Sequence, residues 1–186
     1  MIRNRLKLIF FSSALILLLT SVSQAQNFTS NNGKIKFTSE APLELIKAES
    51  SKLVSVISAS DRRFAFSVII ETFEGFNSPL QKEHFRENYM ETNKFKTSTF
   101  KGKIIEEVDL SKPGTYNVRA KGMFSIHGVE KEKIIKAKVT VKDGSMEIES
   151  DFAVPLEEFN IKVPKVVNQK IASVIAVNVK ATLSQK

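Results

Sequence analysis

Two histidines are the natural starting point for chemistry in a chain of 186 residues without a cysteine. His127 sits in KGMFSIHGVEKEKIIKAKVTVKDG, Lys121 to Gly144, between Ile126 and Gly128. A catalytic base there needs a nucleophile and an orienting carboxylate. No G-x-S-x-G occurs, and the alternation around it puts His127 on the solvent side with Met123 and Ser125, so it reads as a turn or rim residue. His84 lies beside Glu83, with Glu87 and Asn88 on the following helical turn. Zinc sites use three or four protein ligands at organised spacing, so His84 is at most a polar group at a pocket mouth, with Arg86 beside it. Glu106, Glu107 and Asp109, or Glu157 and Glu158, would be the carboxylates of a glycosidase, but outward strand positions and turns account for them. Glycine motifs that cradle phosphate are missing. The expectation is a protein with no catalytic residue, no metal and no cofactor, and not an enzyme.

The elements that carry these residues alternate with period two, the mark of strands with one buried face. Phe64, Phe66, Val68 and Ile70 share a face, as do Tyr116, Val118, Ala120, Gly122, Phe124 and Ile126. Ile135, Ala137, Val139 and Val141 oppose Lys136, Lys138, Thr140 and Lys142. Met146, Ile148, Phe152 and Val154 oppose Glu147, Glu149 and Asp151, and Ile175, Val177, Val179, Ala181 and Leu183 close the series. Pro113-Gly114 suits a type II turn and Asp143-Gly144 a two-residue hairpin, with His127-Gly128 between two further strands. One-sided alternation means antiparallel strands with a wet outer face. Closure removes exposed edges, so the pattern favours an all-β antiparallel barrel of about eight strands over an open sandwich. LQKEHFRENYMETNKF interrupts the rhythm with one short helix near residues 81–92, whose stripe is Phe85, Tyr89 and Met90.

The first 25 residues have a different character. Arg3, Arg5 and Lys7 precede an apolar run from Leu8 to Val22, and Ser23-Gln24-Ala25 supplies the small residues that signal peptidase requires. The run is shorter than the ~20 residues that span a bilayer. Residues 1–25 are therefore expected to be a cleaved secretory signal and residues 26–186 a single exported domain held by its core alone. Basic residues number 28 against 20 acidic, a net charge of +8, with no arginine block. Without Arg3, Arg5 and Lys7 the balance is 25 against 20, or +5, and that excess suits transient contact with an anionic membrane surface; nucleic acid is not an expected partner.

The chain resembles the YceI-like family of exported lipid-binding proteins. The segments that carry the resemblance are IKFTSEAPLELIKAES, FAFSVIIETFEGFNSPLQKEHFRENYMETNKFKTSTFKGKI, GMFSIHGVEK and FNIKVPKVVNQKIASVIAVNVKATL, in that order. The resemblance implies an extended, lipocalin-like barrel enclosing a long-tailed amphiphile, with polyisoprenoids the best-known class, and a periplasmic location. Other branches carry an arginine-aspartate pair and a second arginine around the helix; Lys82, Glu83, His84 and Arg86 stand here, so pyrophosphate is not carried over as the head group.

Residues expected to line a lipid pocket are Phe64, Phe66, Val68, Phe85, Tyr89, Met90, Phe124, Ile126 and Phe152, with His84 and Arg86 at the mouth. Large inward residues alternate with Ala120, Gly122, Ala137 and Ala181, which leaves two outcomes open: an elongated apolar channel, or side chains that interdigitate and fill the barrel. The first makes a soluble carrier or store of a polyisoprenoid, isoprenoid quinone or acyl lipid. The second makes an envelope interaction module with no lipid ligand. Whether two chains pair as a homodimer is left open.

Overall fold

The computed structural model describes residues 26–186; the expected signal segment, residues 1–25, lies outside the described residues. Eight strands close into one antiparallel barrel in sequence order: β1 Asn27–Glu40, β2 Leu45–Ser58, β3 Arg63–Ile69, β4 Thr97–Ile104, β5 Gly114–Ile126, β6 Val129–Lys142, β7 Ser145–Pro155 and β8 Val174–Gln185. β8 pairs back onto β1, so the sheet has no free edge strand.

The meander gives the barrel two different ends. One end carries the β2–β3, β4–β5 and β6–β7 connections and both ends of the described chain. The other end, called the mouth below, carries the β1–β2 hairpin, the long β3–β4 connection, the His127-Gly128 turn and the β7–β8 connection. The helix is in the β3–β4 connection. It begins earlier than its composition suggests: α1 spans Pro79–His84, with the Ser78 hydroxyl accepting from the Gln81 amide and proline in the first turn. Its continuation, Phe85–Tyr89, widens to π geometry, with the Met90 amide donating to the Phe85 carbonyl.

One turn departs from its sequence signal and another follows it. Gly114 opens β5 opposite Val141 and has no positive φ, so Pro113-Gly114 does not make the type II turn, which requires a left-handed third residue. Lys142 pairs with Ser145 around Asp143-Gly144, the expected two-residue hairpin, with Gly144 left-handed.

The strands confirm the inward faces read for β3 and for β5 to β8. β2 lacks a clean alternation, because its polarity is inverted in part. In LVSVIS the inward set is Leu53, Ser55 and Ile57, while Val54 and Val56 face solvent. A shift of β1–β2 register around Gly33 accompanies this, and a β-carbon at Gly33 would crowd the Leu53 carbonyl and Ala181.

Candidate functional site

The barrel interior divides into halves. In the half away from the mouth, Phe28, Ile57, Phe64, Leu110, Met146 and Leu183 belong to a filled core. The mouth half has its own cluster, including Val68, Phe73, Met90, Phe124, Val154 and Phe159. Phe66 and Phe100 pack against both clusters and form the partition. Above it lies a cavity of about 450 Å3, lined mostly by apolar side chains from the strands, α1 and the β7–β8 connection. The interior is therefore filled in one half and open in the other.

Two close approaches shape the partition. Gly102 and Gly122 face each other across β4 and β5. A β-carbon at Gly102 would lie 2.0 Å from the Lys121 carbonyl oxygen, and one at Gly122 2.3 Å from that of Lys101. Beside this seam Phe64 and Phe100 approach to 4.9 Å between ring centres.

Of the expected lining residues, Val68, Phe85, Tyr89, Met90, Phe124, Ile126 and Phe152 border the cavity. Phe64 and Phe66 do not: Phe64 is buried in the filled half and Phe66 belongs to the partition. Shared strand parity placed all three β3 residues inward, but depth along the barrel separates Val68 from the other two. His84 borders the mouth, whereas Arg86 does not, since its guanidinium turns away to donate to the Glu71 carbonyl at 2.5 Å.

Sequence reasoning missed an aromatic cluster that seats the helix. Phe85 stacks on Phe37 of β1 at 5.3 Å and meets Phe76 at 5.0 Å and Phe73 at 6.0 Å. Phe37 could have been found from its alternation with Ile35; Phe73 and Phe76 lie in an irregular segment with no period to reveal them.

The polar groups at the cavity are few. The Gln81 amide donates to Glu44 at 2.8 Å, tying α1 to the β1–β2 hairpin. The three lining serines are committed to structure: Ser39 accepts from the Ala172 amide, Ser78 caps α1, and Ser98 donates to the Ser125 carbonyl. Burial pushes the Tyr89 phenol above its ordinary pKa. Among the described residues, no group of three histidine or carboxylate side chains is placed to hold a metal.

His127 is not the solvent-facing rim residue that parity indicated. Its backbone is left-handed, with φ of 52°, which breaks the alternation and folds the ring inward until its side chain is 10% exposed. Nδ1 lies 3.0 Å from the Phe159 carbonyl and Nε2 3.0 Å from the Glu91 carboxylate, with the Phe95 ring edge-on. Lys133 pairs with Glu158 beside it, holding that carboxyl below its usual range. The histidine thus joins the β5–β6 turn, the segment after the helix and the Leu156–Phe159 turn, whose Phe159 ring packs on Phe124 of the cavity wall.

The sequence matches the model of the YceI-like domain over residues 14–183. No curated protein matches it. Among solved structures it is similar to a polyisoprenoid binding domain from Saccharophagus degradans, with 12% identity, a TM-score of 0.72 and coverage of 87% of this chain and 99% of that one. BcnA of Burkholderia cenocepacia has 11% identity and a TM-score of 0.66, with coverage of 81% and 95%. The YCEI protein of Campylobacter jejuni has 14% identity and a TM-score of 0.56, with coverage of 73% and 81%. At these identities the likeness is one of fold.

Proposed function

The chain belongs to the YceI-like domain family, and from that premise we propose that it holds the tail of a long-chain amphiphile in the mouth half of its barrel, with the head group at the rim. The observation that carries this reading is the cavity, whose volume of about 450 Å3 falls within the roughly 300–1,000 Å3 of small-molecule sites. Its apolar lining suits a polyisoprenoid, isoprenoid quinone or acyl chain, and the solved relative described as a polyisoprenoid binding domain supports the first of these. The tail enters between α1 and the β7–β8 connection and reaches down to Val68 and Phe124, which border the cavity above the partition. Glu44, Gln81, His84 and Lys170 are the polar groups nearest the head. The role is holding, transport or sequestration rather than catalysis, since each lining serine is already engaged by the backbone. Export by residues 1–25 and a periplasmic location belong to the same reading.

Magnitudes set the length of tail. Ten buried methylenes are worth roughly 8 kcal/mol at ~0.8 each, and association and ordering offset several of these. Micromolar affinity needs a net of about 8 kcal/mol, so the tail must bury more than about ten carbons. Native mass spectrometry of the protein purified from its source, followed by solvent extraction, tests the proposal. A stoichiometric surplus that dissociates as a prenyl or acyl amphiphile is expected. A bare mass, unchanged after incubation with isoprenoid quinones, prenyl phosphates and fatty amides, would overturn it in favour of an interaction module.

A further inference from the structure

The exposed apolar side chains are unevenly distributed between the barrel's ends. At the mouth, Leu43 of the β1–β2 hairpin is 66% exposed, Leu80 of α1 59% and Val166 of the β7–β8 connection 88%. The connections at the other end expose only Ile105 among large hydrophobics. The three tips come from separate elements that are bonded together. The Leu43 amide donates to the Gln169 carbonyl at 2.9 Å, and Gln81, next to Leu80, donates to Glu44, next to Leu43.

Positive charge is concentrated in the stretch that carries one tip, Val166. Asn160–Ser173 holds Lys162, Lys165 and Lys170 and no carboxylate. All three lysines are exposed, and among the described residues none joins an ion pair, whereas Lys82, Lys94 and Lys133 elsewhere at this end are paired with glutamates. The same stretch turns Ile161, Val167 and Ile171 into the cavity wall. It therefore has one face toward the cavity and another, basic with a protruding valine, toward solvent. Isolated surface apolar residues are ordinary; three at one rim, beside unpaired lysines and around a cavity entrance, form a directed surface.

We propose that the mouth rim docks on the surface of an anionic lipid bilayer, with Leu43, Leu80 and Val166 dipping into the interfacial region and Lys162, Lys165 and Lys170 against the head groups. Apolar insertion and attraction to anionic lipid are the two terms by which peripheral surfaces bind membranes. The proposal takes its purpose from the lipid-holding reading, because docking in this orientation lets a tail pass between bilayer and cavity without crossing water. Its measurement does not depend on that reading.

The test is flotation of the purified protein with phosphatidylcholine vesicles, with and without phosphatidylglycerol. Binding is expected only to the anionic vesicles and is expected to weaken with added salt. Each lysine near an anionic surface contributes about fivefold to partitioning, so a Lys162→Ser/Lys165→Ser variant should lose roughly twenty- to thirtyfold. Leu43→Ser/Val166→Ser should also lose binding, while Ile134→Ser, on the exposed barrel wall, should not. Absence of binding to anionic vesicles, or equal loss in the wall variant, would overturn docking. So would a sedimenting dimer dissociated by Val166→Ser, which would assign the rim to a second copy of the chain. Uptake of a fluorescent acyl probe, measured without vesicles, separates the two proposals. Leu43, Lys162, Lys165 and Val166 do not border the cavity, so these variants should load probe normally. Vesicle binding without any loading would sink the lipid-holding reading and leave docking standing.

Discussion

Phe64 and Phe152 are both inward aromatic residues of strands, yet they have different surroundings and should respond differently to truncation. Phe64 is buried in the filled half against Phe100, so Phe64→Ala should cost about 3–5 kcal/mol in urea unfolding and leave tail affinity unchanged. Phe152 borders the cavity and meets Phe124 edge-on, so Phe152→Ala should weaken tail binding by about tenfold with a smaller loss of stability. Equal affinities for both variants would contradict the division of the barrel. His127 gives a second contrast. Its ring bridges the Phe159 carbonyl and Glu91, so His127→Ala should lose about 2 kcal/mol, where an exposed turn residue would change stability by less than about 0.5 kcal/mol.

At the scale of elements, β4 and β5 meet through Gly102 and Gly122, and a methyl group on either would strike backbone of the opposite strand. Backbone cannot rotate away as a side chain does, so Gly102→Ala or Gly122→Ala should destabilise by about 3 kcal/mol or prevent folding. A midpoint of unfolding within error of the parent would show that the strands can separate there without cost. The helix offers a milder test. It is short, its start depends on the Ser78 cap, and its seat is the stack of Phe85 on Phe37. Ser78→Ala should cost about 1 kcal/mol and increase hydrogen exchange in residues 79–90 before it affects the strands.

For the molecule as a whole, the carboxylates set the response to acid. Hydrogen bonds from Lys94 and then His127 hold Glu91 below its ordinary value, and Lys133 does so for Glu158. Asp61, Glu106, Asp109 and Glu149 are lowered as well, chiefly by hydrogen bonds from Ser58, the Arg119 amide, Ser111 and Lys138 in turn. Between the lowered value and the ordinary one, the folded state binds fewer protons than the unfolded state, so stability rises with pH across that window. The contribution is complete above the ordinary 3.8 and 4.5 and disappears as pH falls through the lowered values. These pairs are exposed and individually weak. Urea midpoints should therefore decline gradually below about pH 4.5 rather than collapse. A midpoint that rises on acidification would contradict these assignments.

The amino-acid pattern by itself determined an antiparallel β protein whose closure it favoured, the inward faces of β3 and of β5 to β8, and a single helical interruption. Period two is a local property, set by alternation of side chains across a strand, and survives whatever the neighbours do. β2 escaped because Ser50 and Ser55 take inward places while Val54 and Val56 take outward ones. Ser50 is satisfied by Thr72 at 2.6 Å, a partner distant in sequence. Parity tells which face a residue is on but not how deep along the barrel it lies, so Phe64, Phe66 and Val68 looked equivalent. Depth comes from strand register, and the position of Phe37, Phe73 and Phe76 around Phe85 comes from the path of a long connection. The inward turn of His127 and the gathering of Leu43, Leu80 and Val166 at one rim likewise depend on contacts between segments far apart in the chain, which only the tertiary structure brings together.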